Sequence, residues 1–147
     1  MLTSRIAVCL CVLALPSCRE SSPTAPFIQG PQRVTTQGLH GDWRGFLALY
    51  PEGEDWRGTV LSIDATRPAI TGQILPRIGP PRAITGEIHG QGATIFIHGL
   101  PEMQCQGVSI VVEAIEYRNN QPFKLIGHLS GRCPDPLSHV LLMRAPS

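Results

Sequence analysis

The chain has 147 residues, 42% of them hydrophobic, and a formal charge of +1. That length suits one domain of ordinary size, and the balanced charge leaves no basic patch or stripe of the kind that nucleic acid requires. Gly (15) and Pro (14) are spread along the sequence and break up any long helix.

The amino terminus reads as an export signal. Arg5 supplies a positive charge and an apolar run follows over residues 6–15, the order of a secretory signal peptide. About ten apolar residues are too few to cross a hydrocarbon core, which takes about twenty, and this argues against a transmembrane anchor. The run ends in Leu15-Pro16-Ser17-Cys18, with Leu three places before a cysteine and a small residue just before it. This resembles the lipobox of bacterial lipoproteins, although Pro16 stands where Ala or Ser is usual. The resemblance implies that residues 1–17 are a lipoprotein signal peptide and that Cys18 is lipidated and becomes the first mature residue. Arg19 follows, with no Asp there, which in Gram-negative lipoproteins implies the outer membrane, facing the periplasm or the cell surface. The competing expectation is a plain cleaved signal that leaves a soluble exported protein.

Cysteine usage fits export. Cys9 and Cys11 leave with the signal and Cys18 is consumed by lipid, so Cys105 and Cys133 remain as a pair. In an oxidising compartment such a pair is expected to form a disulfide. A zinc site would need about four closely spaced ligands, and neither cysteine has a second cysteine or a histidine near it in sequence. Without Arg5, eleven of the 12 cations face 11 acids. No polybasic cluster for anionic lipid is present.

Residues 18–38 read as the lipidated cysteine and a flexible tether. Ser21, Ser22, Pro23, Thr24, Pro26, Gly30 and Pro31 break any periodicity. A tether of this length spans roughly 25 Å as a coil and about 60 Å at full extension. Residues 39–147 make one domain of short strands. Breaks fall near residues 51–54, 66–68, 76–81, 90–92, 101–107, 118–122 and 134–136, and the runs between them are rich in Ile, Val, Thr, Phe and Leu. That spacing predicts an antiparallel all-β fold, with strands near 42–50, 57–64, 69–75, 83–89, 93–99, 108–117, 123–131 and 139–144. Helix is disfavoured because no uninterrupted stretch holds an apolar stripe of helical period.

Two echoes support hairpin repetition: Asp42-Trp43-Arg44-Gly45 returns as Asp55-Trp56-Arg57-Gly58, and Ala69-Ile70-Thr71-Gly72 as Ala83-Ile84-Thr85-Gly86. Glycines inside the runs (Gly45, Gly58, Gly72, Gly86, Gly127) mark bulges or tight bends, and closing barrels use such kinks. A small eight-stranded antiparallel meander barrel is the expected fold, with a β-sandwich as the alternative. A first hairpin folded about 51–55 sets Trp43 opposite Ile63 and puts Trp43, Leu47, Leu49, Leu61 and Ile63 on one inner face. A second, turning at 118–122, sets Tyr117 opposite Phe123 and Lys124 opposite Glu116. It groups Val111, Ile115, Phe123, Leu125 and Leu129 on the apolar face. In that register Cys105 lies about two residues from the point opposite Cys133, a gap one bulge would close, and the bond would be worth about 3–4 kcal/mol.

Gly41-Asp42-Trp43, with Arg144 just after the last strand, resembles the lipocalin and wider calycin pattern. There a Gly-x-Trp opens the first strand and a late arginine packs on the tryptophan. The resemblance implies that Gly41, Trp43 and Arg144 close the barrel floor. The chain lacks the later Thr-Asp-Tyr motif and leaves no room for a closing helix, so the barrel shape carries over and a particular ligand does not. Eight strands enclose a space that side chains can fill or that can hold one small ligand. Trp43, Leu47, Leu61, Val111 and Leu129 are therefore either plain core or the wall of a ligand cavity. Glu113, opposite Gly127, either faces a polar ligand or is turned to solvent by a bulge, because a buried unpaired carboxylate is costly.

The histidines (His40, His89, His98, His128, His139) form no metal or catalytic set in sequence, and no Gly-x-Ser-x-Gly elbow, cysteine–histidine pair or loop carboxylate pair is present. No catalytic residues, cofactor or metal are expected. The expected function is non-enzymatic: a membrane-anchored lipoprotein binding a small apolar or envelope-derived ligand in or at the barrel. The alternative is a protein-interaction module of the envelope, an assembly factor or a lysozyme- or protease-inhibitor-like protein. Ser130-Gly131-Arg132 is only a fragment of the lysozyme-inhibitor motif.

Overall fold

Alternation of inward and outward residues shapes the barrel wall, most plainly in the run Thr59–Thr66. There buried and outward residues take turns, with Thr59, Leu61, Ile63 and Ala65 buried. A computed structural model describes residues 26–49, 53–66, 68–100, 106–132 and 140–145. The elements are β1 (Ile28–Gln32), α1 (Thr36–Leu39), β2 (Gly41–Leu47), β3 (Thr59–Thr66), β4 (Ala69–Leu75), β5 (Arg82–His89), β6 (Gly92–Ile97), β7 (Gln106–Arg118), β8 (Gln121–Arg132) and β9 (Val140–Arg144).

Each strand from β2 to β9 pairs antiparallel with the next, and β9 returns to pair with β2. The sheet is thus a closed eight-stranded up-and-down barrel, as the sequence predicts, and closure excludes the sandwich. Closure pairs β2 to β9 around the barrel and leaves β1, added beside β7, as the edge strand among the described residues. The core is one cluster drawn from all eight strands, including Trp43, Leu47, Leu61, Ile70, Ile84, Ile95, Ile110, Leu125 and Leu142.

Two glycines show how tightly the wall is coiled. A Cβ on Gly72 would lie 2.0 Å from the Ser62 carbonyl oxygen, and one on Gly127 would lie 2.0 Å from the Val111 oxygen. At both places the neighbouring strand runs where a side chain would begin, so the bend requires glycine.

The second hairpin departs from its expected register at three places. Asn119 and Asn120 both take left-handed conformations, φ 50° and 62°, and form the two-residue turn that suits a twisted hairpin. Tyr117 therefore faces Pro122 rather than Phe123, while Glu116 faces Lys124 as expected. A register shift then falls between Val112 and Ala114. This bulge removes Glu113 from the ladder and exchanges the two faces beyond it. Val108, Ile110 and Val112 are buried in place of Val111, and Val111 pairs on the outer side with the exposed His128. A third shift, between Gln106 and Ser109, brings Gln106 opposite Arg132.

In the first hairpin Trp43 faces Leu61 and Gly41 faces Ile63. The register is two residues from the expected one, because β2 ends at Leu47 rather than reaching residue 50. A shift of two keeps every side chain on its expected face.

Residues 26–38, expected as part of a flexible tether, belong to the folded body. β1 pairs with the last residues of β7, Ile28 opposite Arg118 and Gln32 opposite Ile115, on the edge of β7 that β6 leaves uncovered beyond Val112. Val34 N–H then donates to the Gln91 carbonyl at 2.9 Å. The turn of helix α1 follows, capped by Thr35, whose Oγ1 accepts from Gly38 N–H at 3.0 Å. This single turn, the one departure from the all-strand expectation among the described residues, packs against β3 and β8 at one end of the barrel. Val34 and Leu39 bury themselves there.

Gly127→Ala is expected to cost about 2–3 kcal/mol through forced displacement of the β7 backbone. Gly30→Ala, with nothing within 4 Å of the new carbon, should stay within about 0.5 kcal/mol of wild type. Urea denaturation of the two variants checks the difference.

Candidate functional site

The residues proposed as a ligand wall fall on both sides of the barrel. Trp43, Leu47 and Leu61 point inward with no accessible surface, and Leu129 keeps 2%. Val111 stands half-buried on the outside, and Glu113 is exposed, 3.0 Å from His128 Nδ1. The inward set extends to Ile70, Ile74, Ile95, Ile110, Ile115, Leu125 and Leu142, each at 0–1%. A void wide enough for one water molecule leaves accessible area on its walls. These walls have essentially none, so the interior bounded by the described residues is filled by its own side chains.

Both ends of the barrel are stoppered by an indole. At the α1 end Trp43 and Arg144 are cross-strand partners between β2 and β9. The Arg144 guanidinium lies 5.0 Å from the Trp43 ring centroid, within the range of a cation–π contact. Trp43 Nε1–H donates to the Leu39 carbonyl at 2.9 Å, and Arg144 Nη1–H donates to the His40 carbonyl at 2.6 Å. A Cβ on Gly41 would sit 2.5 Å from Arg144 Nη2, which accounts for glycine at the head of Gly-Asp-Trp. The three residues thus form one closure.

At the opposite end, Trp56 joins the core at 1% exposure. Its Nε1–H donates to Glu54 Oε2 at 3.0 Å, and the second oxygen of Glu54 accepts from Arg82 Nη2. Both charged side chains are largely withdrawn from water, Glu54 to 7% and Arg82 to 15% exposure. Arg82 Nε is buried and has no hydrogen-bond partner among the described residues. Next to it, Asp55 bridges to Ile78 through two backbone hydrogen bonds of 2.9 and 3.2 Å, which tie the loop after β2 to the loop between β4 and β5. Arg57 grips the Asp55 carboxylate with two side-chain N–H groups at 2.9 and 3.0 Å, and Arg77 approaches to 3.5 Å. The hydrogen bonds from the Arg57 side chain and then from its backbone N–H hold the Asp55 carboxyl at about 2, below the usual 3.8.

The outer wall carries two shallow grooves. One of about 480 Å³ runs over β2, β3 and β4 beside His40, Asp42, Asp64 and Gly72, with His40 Nδ1 3.4 Å from Asp64. The other, about 350 Å³, lies at the α1 end between Arg33, Pro68 and Ile88. On the outer face of β5 and β6, Phe96 is 45% exposed. Its cross-strand neighbours are Thr85 and Ser109. His98 lies 2.6 Å from Thr85 Oγ1, and His89 lies 2.7 Å from Thr94 Oγ1. No group of three or more His, Cys, Asp or Glu able to hold a metal occurs among the described residues.

Sequence reading missed the Glu54–Arg82 pair, whose members are 28 positions apart, and the His128–Glu113 contact, which exists only because the bulge turns Glu113 outward. Cys18, Cys105, Cys133 and His139 lie outside the described residues. Comparison of the chain with protein-family models, with curated proteins and with solved structures returns no match.

Glu54→Ala leaves the Arg82 charge buried without its counter-ion and is expected to cost about 3–5 kcal/mol. The double variant Glu54→Ala/Arg82→Met, which removes both charges, should recover part of that loss in chemical denaturation.

Asp55 gives a pH dependence of known sign. Its folded pKa lies below its unfolded one, so between about pH 4 and pH 2 the unfolded chain takes up a proton that the folded chain does not. The stabilisation is complete above that window and is lost as the pH falls through it. The stability gap between wild type and Asp55→Asn should therefore narrow from about pH 4 to about pH 2 in denaturation curves.

Proposed function

We propose that this chain is a lipid-anchored protein of a bacterial cell envelope that acts through the outside of a sealed barrel, as a protein-interaction module. The anchor reading is supported by Arg5, the apolar run over 6–15 and the Leu15-Pro16-Ser17-Cys18 ending. The outer membrane is the membrane that Arg19 favours.

One observation carries the choice between the two expected activities. The inward side chains touch one another so closely that they retain almost no accessible surface. A carrier of a small apolar molecule needs a lined hollow of some 300 Å³ or more, and in this barrel Trp43 and Trp56 occupy the space near its two ends. An interaction module needs only a rigid outer wall with apolar positions beside polar ones, and Phe96, 45% exposed next to the exposed Thr85 and near His98, fits that need. Among the described residues, His40 lies beside Asp64 and His128 beside Glu113, both pairs at the surface.

The disulfide belongs to the same reading. Gln106 and Arg132 are the last described partners at the open end of the β7–β8 hairpin, and the next residue along each strand is Cys105 and Cys133. The pairing of Cys105 with Cys133 is an expectation that this reading carries over from export to an oxidising compartment.

Mass spectrometry of the protein drawn from its own membranes in mild detergent tests the reading. An acyl adduct on Cys18, loss of the thiol hydrogens of Cys105 and Cys133, no stoichiometric small molecule and a partner protein cross-linked through a photoreactive residue at position 96 are expected. A small molecule released in equal amount to the protein on denaturation would sink the module in favour of a carrier.

A further inference from the structure

Phe27 and Ile28, 68% and 55% exposed, are an adjacent pair of large apolar side chains offered to solvent. They are not loose chain. Phe27 N–H donates to Asn119 Oδ1 at 3.1 Å, and Asn119 N–H donates back to the Phe27 carbonyl at 3.1 Å. Gln29 Nε2–H donates to Asn120 Oδ1 at 2.7 Å, and Ile28 is the ladder partner of Arg118. The pair is therefore clamped to the tip of the β7–β8 hairpin, the longest in the barrel, at the α1 end. A pair fixed in place cannot fold back to shed its contact with water. Exposed apolar groups held in this way mark a contact surface.

The sequence leading to the patch says what covers it. Phe27 stands only nine positions after Cys18, a reach of about 15–18 Å as a coil and roughly 30 Å at full extension. Neither residues 26–33 nor residues 117–123 contain a carboxylate, whereas Arg33 and Arg118 lie among them. The nearest carboxylate on the hairpin, Glu116, faces Lys124 at 3.8 Å. A tip that is apolar, carries no acid within its two segments and stands within a short reach of the Cys18 lipid matches the boundary between headgroups and hydrocarbon.

We propose that the hairpin tip carrying Phe27 and Ile28 rests in the headgroup region of the bilayer that holds the Cys18 lipid. The barrel then stands on its α1 end and turns the Trp56 end away from the membrane. This inference rests on the lipid-anchor reading above.

Tryptophan reporters in the full lipidated chain test it. Phe27→Trp and, at the opposite end, Ile78→Trp are each reconstituted in vesicles of phosphatidylethanolamine and phosphatidylglycerol doped with dibrominated phosphatidylcholine. Trp43 and Trp56 are buried and add the same background to both proteins. The expected result is a blue shift and bromolipid quenching of the reporter at position 27, with the one at position 78 unchanged. In protein whose intact mass shows the acyl group, an unquenched reporter at 27, or equal quenching at both ends, overturns the docked tip and leaves the anchor standing. An intact mass without acyl overturns the anchor and the docked tip together.

Discussion

The pairing of β9 with β2 holds the rest of the structure in place. Among the described residues, the five-residue β9 is the bridge between β2 and β8 that converts a curved sheet into a cylinder. Its last residue, Arg144, sits opposite Trp43 and lays its cation against the indole that plugs the end of the cylinder. Register and stopper are therefore the same contact. Any other alignment of β9 would move the arginine off the ring, and a slip of one residue would also turn Val140 and Leu142 outward.

Closure makes interior space scarce, and two tryptophans take much of what remains. An eight-stranded barrel is just wide enough to be filled by side chains or to admit one small ligand. Here the two Asp-Trp-Arg-Gly echoes send their indoles to opposite ends, Trp43 under α1 and Trp56 under the Glu54–Arg82 pair. Charge on the wall is settled locally as well. Asp55 with Arg57 and Arg77, Glu54 with Arg82, and Glu116 with Lys124 each neutralise within reach. A wall of this kind gives little long-range steering, and recognition on it would depend on shape and apolar contact.

What the sequence shows of this fold is what alternation and glycine encode. Ile70-Thr71-Gly72-Gln73-Ile74 states its strand, its inner face and its bend within five residues. The closure was legible too, because Gly41, Trp43 and Arg144 occur at the two ends of a strand series. The cost of burying the Glu113 carboxylate also announced a bulge that turns it to solvent, but not that the bulge would turn Val111 outward. Val111, Val112 and Ile115 are equally apolar, and only the geometry of the ladder decides which pair turns inward. β1 was illegible for another reason. Ile28-Gln29-Gly30-Pro31-Gln32 has no alternation of its own and becomes a strand because β7 outruns β6 and leaves backbone groups to satisfy. The Glu54–Arg82 pair depends on two loops meeting over the barrel end, which no local pattern announces.

The two ends of the cylinder differ in a way that gives the domain a direction. The Trp56 end gathers Glu54, Asp55, Arg57, Arg77 and Arg82, a polar cluster held by backbone hydrogen bonds between loops. The α1 end is capped by Leu39 and Val34 and overlooked by Phe27 and Ile28. β1 and α1 hold that second end as part of the folded body, and the same end also carries Arg33, Asp42, Asp64 and Arg118. On the anchored reading proposed above, they would leave the lateral wall, β5 and β6 with Phe96 included, facing the surroundings. Reliable presentation of an outer surface is what a sealed barrel can offer in place of a cavity.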